Sequence, residues 1–66
     1  MKHITIDCPI PPFSPRQGCW FVMSSRRKHA SVTEIHINRA DADRSARRLG
    51  TCVRFGYLQN GTAECV

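Results

Sequence analysis

The chain is short and basic: its 66 residues include ten Lys and Arg against five Asp and Glu, for a net charge of +5. This length leaves room for one small domain spanning 1–66 and not for two. No apolar run approaches the ~18 residues that a membrane span requires, and residues 1–20 lack the apolar region and cleavage site of a signal peptide. We therefore expect a cytoplasmic protein with no membrane partner.

A domain with so small a core often needs cross-links, and the candidates are four cysteines: Cys8, Cys19, Cys52 and Cys65. In a cytoplasmic setting we expect their thiols to stay reduced, and the sequence does not choose among the alternative disulfide pairings. Homodimerisation is another way to bury more surface. Because the cysteines lack the close spacing typical of zinc ligands, we expect neither a metal nor another cofactor.

The N-terminal segment predicts a strand followed by a rigid loop. Residues 3–8 alternate polar and apolar side chains, which is typical of a half-buried strand with Ile4, Ile6 and Cys8 on one face. Segment 9–18 contains all four prolines of the chain. Proline removes a backbone donor and fixes φ, so this segment is neither a helix nor a central strand.

A β-hairpin is predicted over 19–37. Its first strand is apolar on both faces, with Trp20 and Val22 on one side and Phe21 and Met23 on the other. Its second strand alternates and has a predicted core face made of Thr33, Ile35 and Ile37. The tip between the two strands is polar and basic, as expected for a hairpin connection.

Residues 39–49 carry the clearest helix pattern. Asn38 is a favoured capping residue, and Gly50 supplies the left-handed position at which helices end. One apolar stripe runs along the helix and consists of Ala42, Ala46 and Leu49. Its small side chains indicate a close approach to a sheet.

The chain after the helix predicts a second hairpin over 51–66. Its turn is Asn60-Gly61, a strong hairpin sequence, and in the resulting register Tyr57 faces Glu64. Phe55 and Tyr57 share one strand face, which we expect to lie under the helix. The alternative, in which these rings stack nucleic-acid bases, requires them on an open face.

Together these elements predict an α+β fold in the order β-β-β-α-β-β. A small antiparallel sheet carries one amphipathic helix packed on one of its faces. The second face of that sheet is then solvated, covered by the 9–18 loop, or held by a partner. What covers this face is the main structural question about function.

Positive charge is concentrated at the first hairpin tip and on the outer helix surface. Arginine binds phosphate through two parallel hydrogen bonds, and nucleic acids present phosphates at regular spacing. The alternative is a solvated basic surface that keeps a small protein soluble. We expect a non-enzymatic accessory protein that binds nucleic acid, either DNA or RNA. The contact residues under this hypothesis are Arg26, Arg27, Lys28, Arg44, Arg47, Arg48 and Arg54.

A protein-interaction module is the alternative function. Such a module would dock on a larger host or phage-type machine through an exposed sheet edge, with its positive charge against an acidic partner surface. Its aromatic docking face would consist of Trp20, Phe21 and Met23. A small ribonuclease using His29 and His36 is disfavoured, because the sequence offers no third group to orient such a pair.

Overall fold

The computed structural model describes residues 2–12, 17–24, 31–59 and 61–66, with the backbone alone at Lys2 and His3. These residues form five strands and one helix in the predicted order. The elements are β1 (Lys2–Ile6), β2 (Gly18–Met23), β3 (Ser31–His36), α1 (Arg39–Leu49), β4 (Val53–Gln59) and β5 (Thr62–Cys65). In this part of the chain, no helix is long and apolar enough to cross a membrane.

The strands close into a barrel in the order β1-β3-β2-β4-β5, with β5 returning to pair with β1. Neighbouring strands are antiparallel except β1 and β3, which are parallel. The α+β class is confirmed, but the prediction of an open antiparallel sheet is wrong. Side-chain alternation identifies the buried face of a strand and not its neighbours, so the sequence pattern could not reveal that β1 bridges β3 and β5.

Strand β2 separates two hydrophobic cores. Phe21 and Val22 are consecutive residues with side chains on opposite faces, and both are fully buried. Phe21 points into the barrel, whereas Val22 lies under α1 against Ala42 and Ala46. The apolar character of both faces of this strand, predicted from the sequence, therefore reflects one core on each side. The barrel core consists of Ile4, Cys19, Phe21, Met23, Val32, Leu58, Ala63 and Cys65.

A bulge in β3 changes which of its side chains enter the barrel. Val22 pairs with Glu34, but Met23 pairs with Val32, so Thr33 is an extra residue on β3. Val32 is consequently buried and Ile35 packs against the barrel core partly buried, whereas Ile37 lies beyond the strand and is 55% exposed. The predicted core face of Thr33, Ile35 and Ile37 is correct only at Ile35, because strict alternation does not hold across a bulge.

Helix α1 has the predicted range and both predicted caps. The Asn38 side chain accepts a hydrogen bond from the backbone N–H of Ala40 at 3.2 Å. Gly50 takes a left-handed conformation with φ of 69° and donates to the Arg47 carbonyl. Ala42 and Ala46 face the sheet and are buried, while Leu49 in the last turn stays 40% exposed.

The hairpin of β4 and β5 has the predicted register, with Tyr57 opposite Glu64 and Gly56 opposite Cys65. Gly56 is required by a close approach of backbones. A Cβ atom at this position would collide with the carbonyl oxygen of Glu64 and come within 2.9 Å of the Cys65 Cα atom. Because these obstacles are backbone atoms, only movement of β5 would relieve the overlap.

We expect Gly56→Ala to destabilise the fold by about 3 kcal/mol, at the upper end of overpacking costs. Gly61→Ala is the matched control, because Gly61 has φ of 78° and open space around a built Cβ. It should cost only about 1 kcal/mol, from the left-handed conformation. Urea unfolding of both variants measures the difference, and equal losses would refute the backbone contact at Gly56.

Candidate nucleic-acid interface

The outer surface of α1 presents two arginines. Arg44 and Arg47 are exposed and, with Ala40 and Asp43, line a shallow groove on the helix. The short side chain of Ala40 leaves the space between the longer ones. Within the described residues, no carboxylate lies within 4.0 Å of either guanidinium group. Both groups are therefore available to an external anion.

Arg39, at the start of α1, joins this surface although it was not among the predicted contact residues. Its Nε atom lies 3.4 Å from a carboxylate oxygen of Asp43, one helical turn further on. Its guanidinium carbon lies 5.2 Å from the centroid of the Trp20 ring, a cation–π distance. The i,i+4 spacing from Asp43 is visible in the sequence, but the contact with Trp20 depends on how α1 crosses β2.

Three aromatic side chains continue from Arg39 across the barrel surface. The Trp20 and Phe55 ring centroids lie 4.9 Å apart, and those of Phe55 and Tyr57 lie 5.7 Å apart in an edge-to-face arrangement. The Phe55 ring lies directly over Gly18, where a Cβ would collide with it. We refer to Trp20, Phe55 and Tyr57 as the aromatic row.

The aromatic row lies on the helix side of the sheet but is only partly covered. Trp20 packs against the hydrophobic cluster under α1. Phe55 and Tyr57 are half-buried and lie outside this cluster. The expectation that Phe55 and Tyr57 lie under the helix is therefore wrong. The reason is geometric, because the eleven-residue helix starts at Arg39 and its buried alanines cover Val22 rather than the later part of β4.

The other predicted basic residues do not all join this surface. The Arg48 guanidinium is 3.2 Å from a carboxylate oxygen of Glu34 on β3. Arg54 is exposed and is the β4 partner of Phe21, so its side chain leaves the sheet on the face opposite Phe55. Arg26, Arg27 and Lys28 lie outside the described residues.

Two of the three residues predicted to dock on a protein partner are not accessible. Phe21 is fully buried and Met23 is 7% exposed, and both belong to the barrel core. Trp20 alone of the three remains half-buried at the surface. Each strand has a neighbour on both sides in the closed barrel, but β1 and β3 pair at only two positions, so the later part of β3 pairs with β2 alone.

Glu34, His36 and Arg48 form a polar cluster between β3 and α1. His36 Nε2 lies 2.8 Å from Glu34 Oε1, and Arg48 approaches the other carboxylate oxygen. Hydrogen bonds from His36 and from Ser45, with a smaller effect of the Arg48 charge, lower the pKa of the Glu34 carboxyl. The cluster therefore favours an ionised Glu34 and uses the charge of Arg48 within the fold.

The buried cysteines are structural thiols. Burial, with a smaller contribution from nearby Cys65, raises the pKa of Cys19 to about 11, so its thiol stays protonated and unreactive near neutral pH. Cys19 and Cys65 are the register partners of Gly56 on its two sides. The Cα atoms of Cys19 and Cys65 are therefore two strand spacings apart, about 9.5 Å. This exceeds the roughly 7 Å limit for a disulfide, so the two thiols do not pair with each other. Among the described residues, no three His, Cys, Asp or Glu side chains form a metal-binding group.

We expect the contribution of Glu34 to stability to depend on pH. Because its pKa is lowered on folding, the stabilisation is present above the unfolded-state pKa of about 4.3 and is lost as pH falls through the folded-state value. Glu34→Gln should cost up to about 1 kcal/mol at pH 7 and progressively less as the pH falls through the folded-state pKa of Glu34. Urea midpoints over a series of pH values test this, and a cost that does not change with pH would contradict it.

The side chains of this surface are the only guide to its role. No protein-family model, curated protein or solved structure matches this chain. The function is therefore inferred from what Arg44 and Arg47 on α1, and the aromatic row that Arg39 contacts, are able to bind.

Proposed function

We propose that this chain is a small, non-enzymatic accessory protein that binds nucleic acid through the outer surface of α1. The observation that carries the proposal is the pair of exposed guanidinium groups of Arg44 and Arg47, which have no carboxylate partner among the described residues. Arg48, by contrast, lies 3.2 Å from a carboxylate oxygen of Glu34. The guanidinium groups of Arg44 and Arg47 are therefore available to pair with a ligand.

The spacing of these two residues suits a phosphate backbone. Residues three apart on a helix are surface neighbours, with Cβ atoms about 5–6 Å apart. Each guanidinium offers a planar fork of donors that matches phosphate oxygens. Two adjacent forks are therefore able to contact successive phosphates of one strand. The net charge of +5 adds a long-range attraction to any nucleic acid.

Arg26, Arg27 and Lys28, which lie outside the described residues, belong to the same proposal because of their charge. We propose that these three side chains add phosphate contacts to those of α1.

Arg48 and Arg54 have a smaller part in this proposal than the other predicted contacts. The charge of Arg48 is already used by Glu34, and Arg54 leaves the sheet on the face opposite the aromatic row. The competing function, docking on a protein partner, loses two of its three anchors because Phe21 and Met23 fill the barrel. Nucleic-acid binding is therefore the function that the exposed side chains support best.

We expect the double variant Arg44→Gln/Arg47→Gln to bind a mixed-sequence oligonucleotide more weakly and with less dependence on salt. Loss of two phosphate contacts should reduce the slope of log K against log salt by about 1.4 to 1.8. Fluorescence anisotropy of a labelled oligonucleotide at several salt concentrations measures both quantities.

The matched control is Arg48→Gln/Arg54→Gln, which removes the same two positive charges from other positions. It should retain most of the slope and affinity of the parent protein. Equal losses in the two double variants would show that only total charge matters and would remove the helix surface from the proposal. No binding by the parent protein at low salt would overturn the function itself.

A further inference from the structure

The aromatic row extends the arginine surface in one direction, from the start of α1 along β4. Arg39, above Trp20, is the point at which the two meet. From there Phe55 and Tyr57 follow at centroid distances of 4.9 Å and 5.7 Å. A row of rings beside a row of guanidinium groups is the combination by which proteins bind single-stranded nucleic acids.

We propose that the ligand is a single-stranded nucleic acid whose bases stack on Tyr57 and Phe55 while its phosphates face Arg44 and Arg47. This inference rests on the proposed function, because it assigns the strand state of the nucleic acid that the arginines bind. Bases inside a duplex are already stacked on each other and present only their edges. Rings on the protein surface therefore gain contact only with unpaired bases.

The local packing explains why Phe55 and Tyr57 are only half-buried. Tyr57 lies opposite Gly18 on β2, and glycine has no side chain to cover a neighbouring ring. The Phe55 ring occupies part of the space over Gly18 and meets Tyr57 at an interplanar angle of 72°. An edge-to-face contact occupies a face of only one of the two rings, whereas a parallel stack occupies a face of each. Glycine within a strand is also typical of a place where another group approaches closely.

The charges around the row favour an anionic ligand on the helix side. Asp43, the carboxylate nearest to Arg44 and Arg47 on the groove, is paired with Arg39. Glu64 is the cross-strand neighbour of Tyr57 on the opposite side, toward β5. This carboxylate repels phosphates from the β5 side. A strand stacked on Tyr57 is thus directed toward the arginines of α1.

Trp20 provides a direct measurement, because it is the only tryptophan of the chain and its ring lies beside Phe55. Bases that stack on the neighbouring rings should quench its fluorescence. The probes are ten-nucleotide oligo-dT and oligo-U, a ten-base-pair duplex, and inorganic polyphosphate, which has the charge but no bases. We expect both single strands to bind and quench, and polyphosphate to bind without quenching.

The informative variants are Tyr57→Leu and Tyr57→Phe, each first shown by circular dichroism to fold. Leucine keeps apolar bulk but has no ring face, so it should weaken single-strand binding about fivefold or more and leave polyphosphate binding unchanged. Phenylalanine keeps the ring and should bind as the parent does. Phe55→Leu, tested in the same way, keeps the proposal falsifiable if Tyr57→Leu does not fold.

The outcomes separate this inference from the proposed function. Quenching by oligo-dT or oligo-U, with loss in Tyr57→Leu and retention in Tyr57→Phe, supports stacking. Binding without quenching and without an effect of either leucine variant, or tighter binding of the duplex, overturns stacking while the arginine surface stands. Failure of every nucleic acid to bind at low salt overturns both. If no nucleic acid binds, the aromatic row is instead a candidate surface for a protein partner.

Discussion

The structure depends on the burial of β2 from both sides. Phe21 and Val22 are fully buried in different cores, one inside the barrel and one under the helix. Burial of each side chain contributes roughly 1.5–3 kcal/mol, and the two contributions fix the strand between β3 and β4. The position of α1 follows, because Ala42 and Ala46 are small enough to lie close over Val22. The helix is too short to cover the rest of this face, and the aromatic row remains at the surface.

Local sequence patterns predicted the elements better than their arrangement. The capping residues Asn38 and Gly50 and the Asn60-Gly61 sequence are local signals, so the helix range and the register of Tyr57 with Glu64 could be predicted. Barrel closure depends on pairing between residues far apart in the chain, which no local pattern contains. The extra residue at Thr33 likewise arises from how β3 meets β2.

The candidate site could be predicted from the sequence only where it depends on local patterns. Exposure of Arg44 and Arg47 follows from the helical period, because they lie opposite the buried alanines. Arg39 and Arg48 differ in their partners, Trp20 and Glu34, and both partners come from strands that only the folded chain brings near α1. The sequence pattern predicted Arg44, Arg47, Arg48 and Arg54 as contacts alike and left out Arg39. Tertiary contacts separate those that are engaged within the protein from those that are available to a ligand.

Closure of the barrel through β1 has a consequence for how the chain folds. The first strand pairs with the last over four residue pairs, from Lys2 with Cys65 to Thr5 with Thr62, and with β3 over only two. During synthesis, β1 therefore emerges long before its main partner exists. The segment from β2 to β4 contains the pairing of β2 with both β3 and β4, which does not require β1. Closure of the barrel by pairing of β1 with β5 is then a late step in folding. Because this pairing joins residues far apart in the chain, we expect slower folding than for a helical protein of the same length.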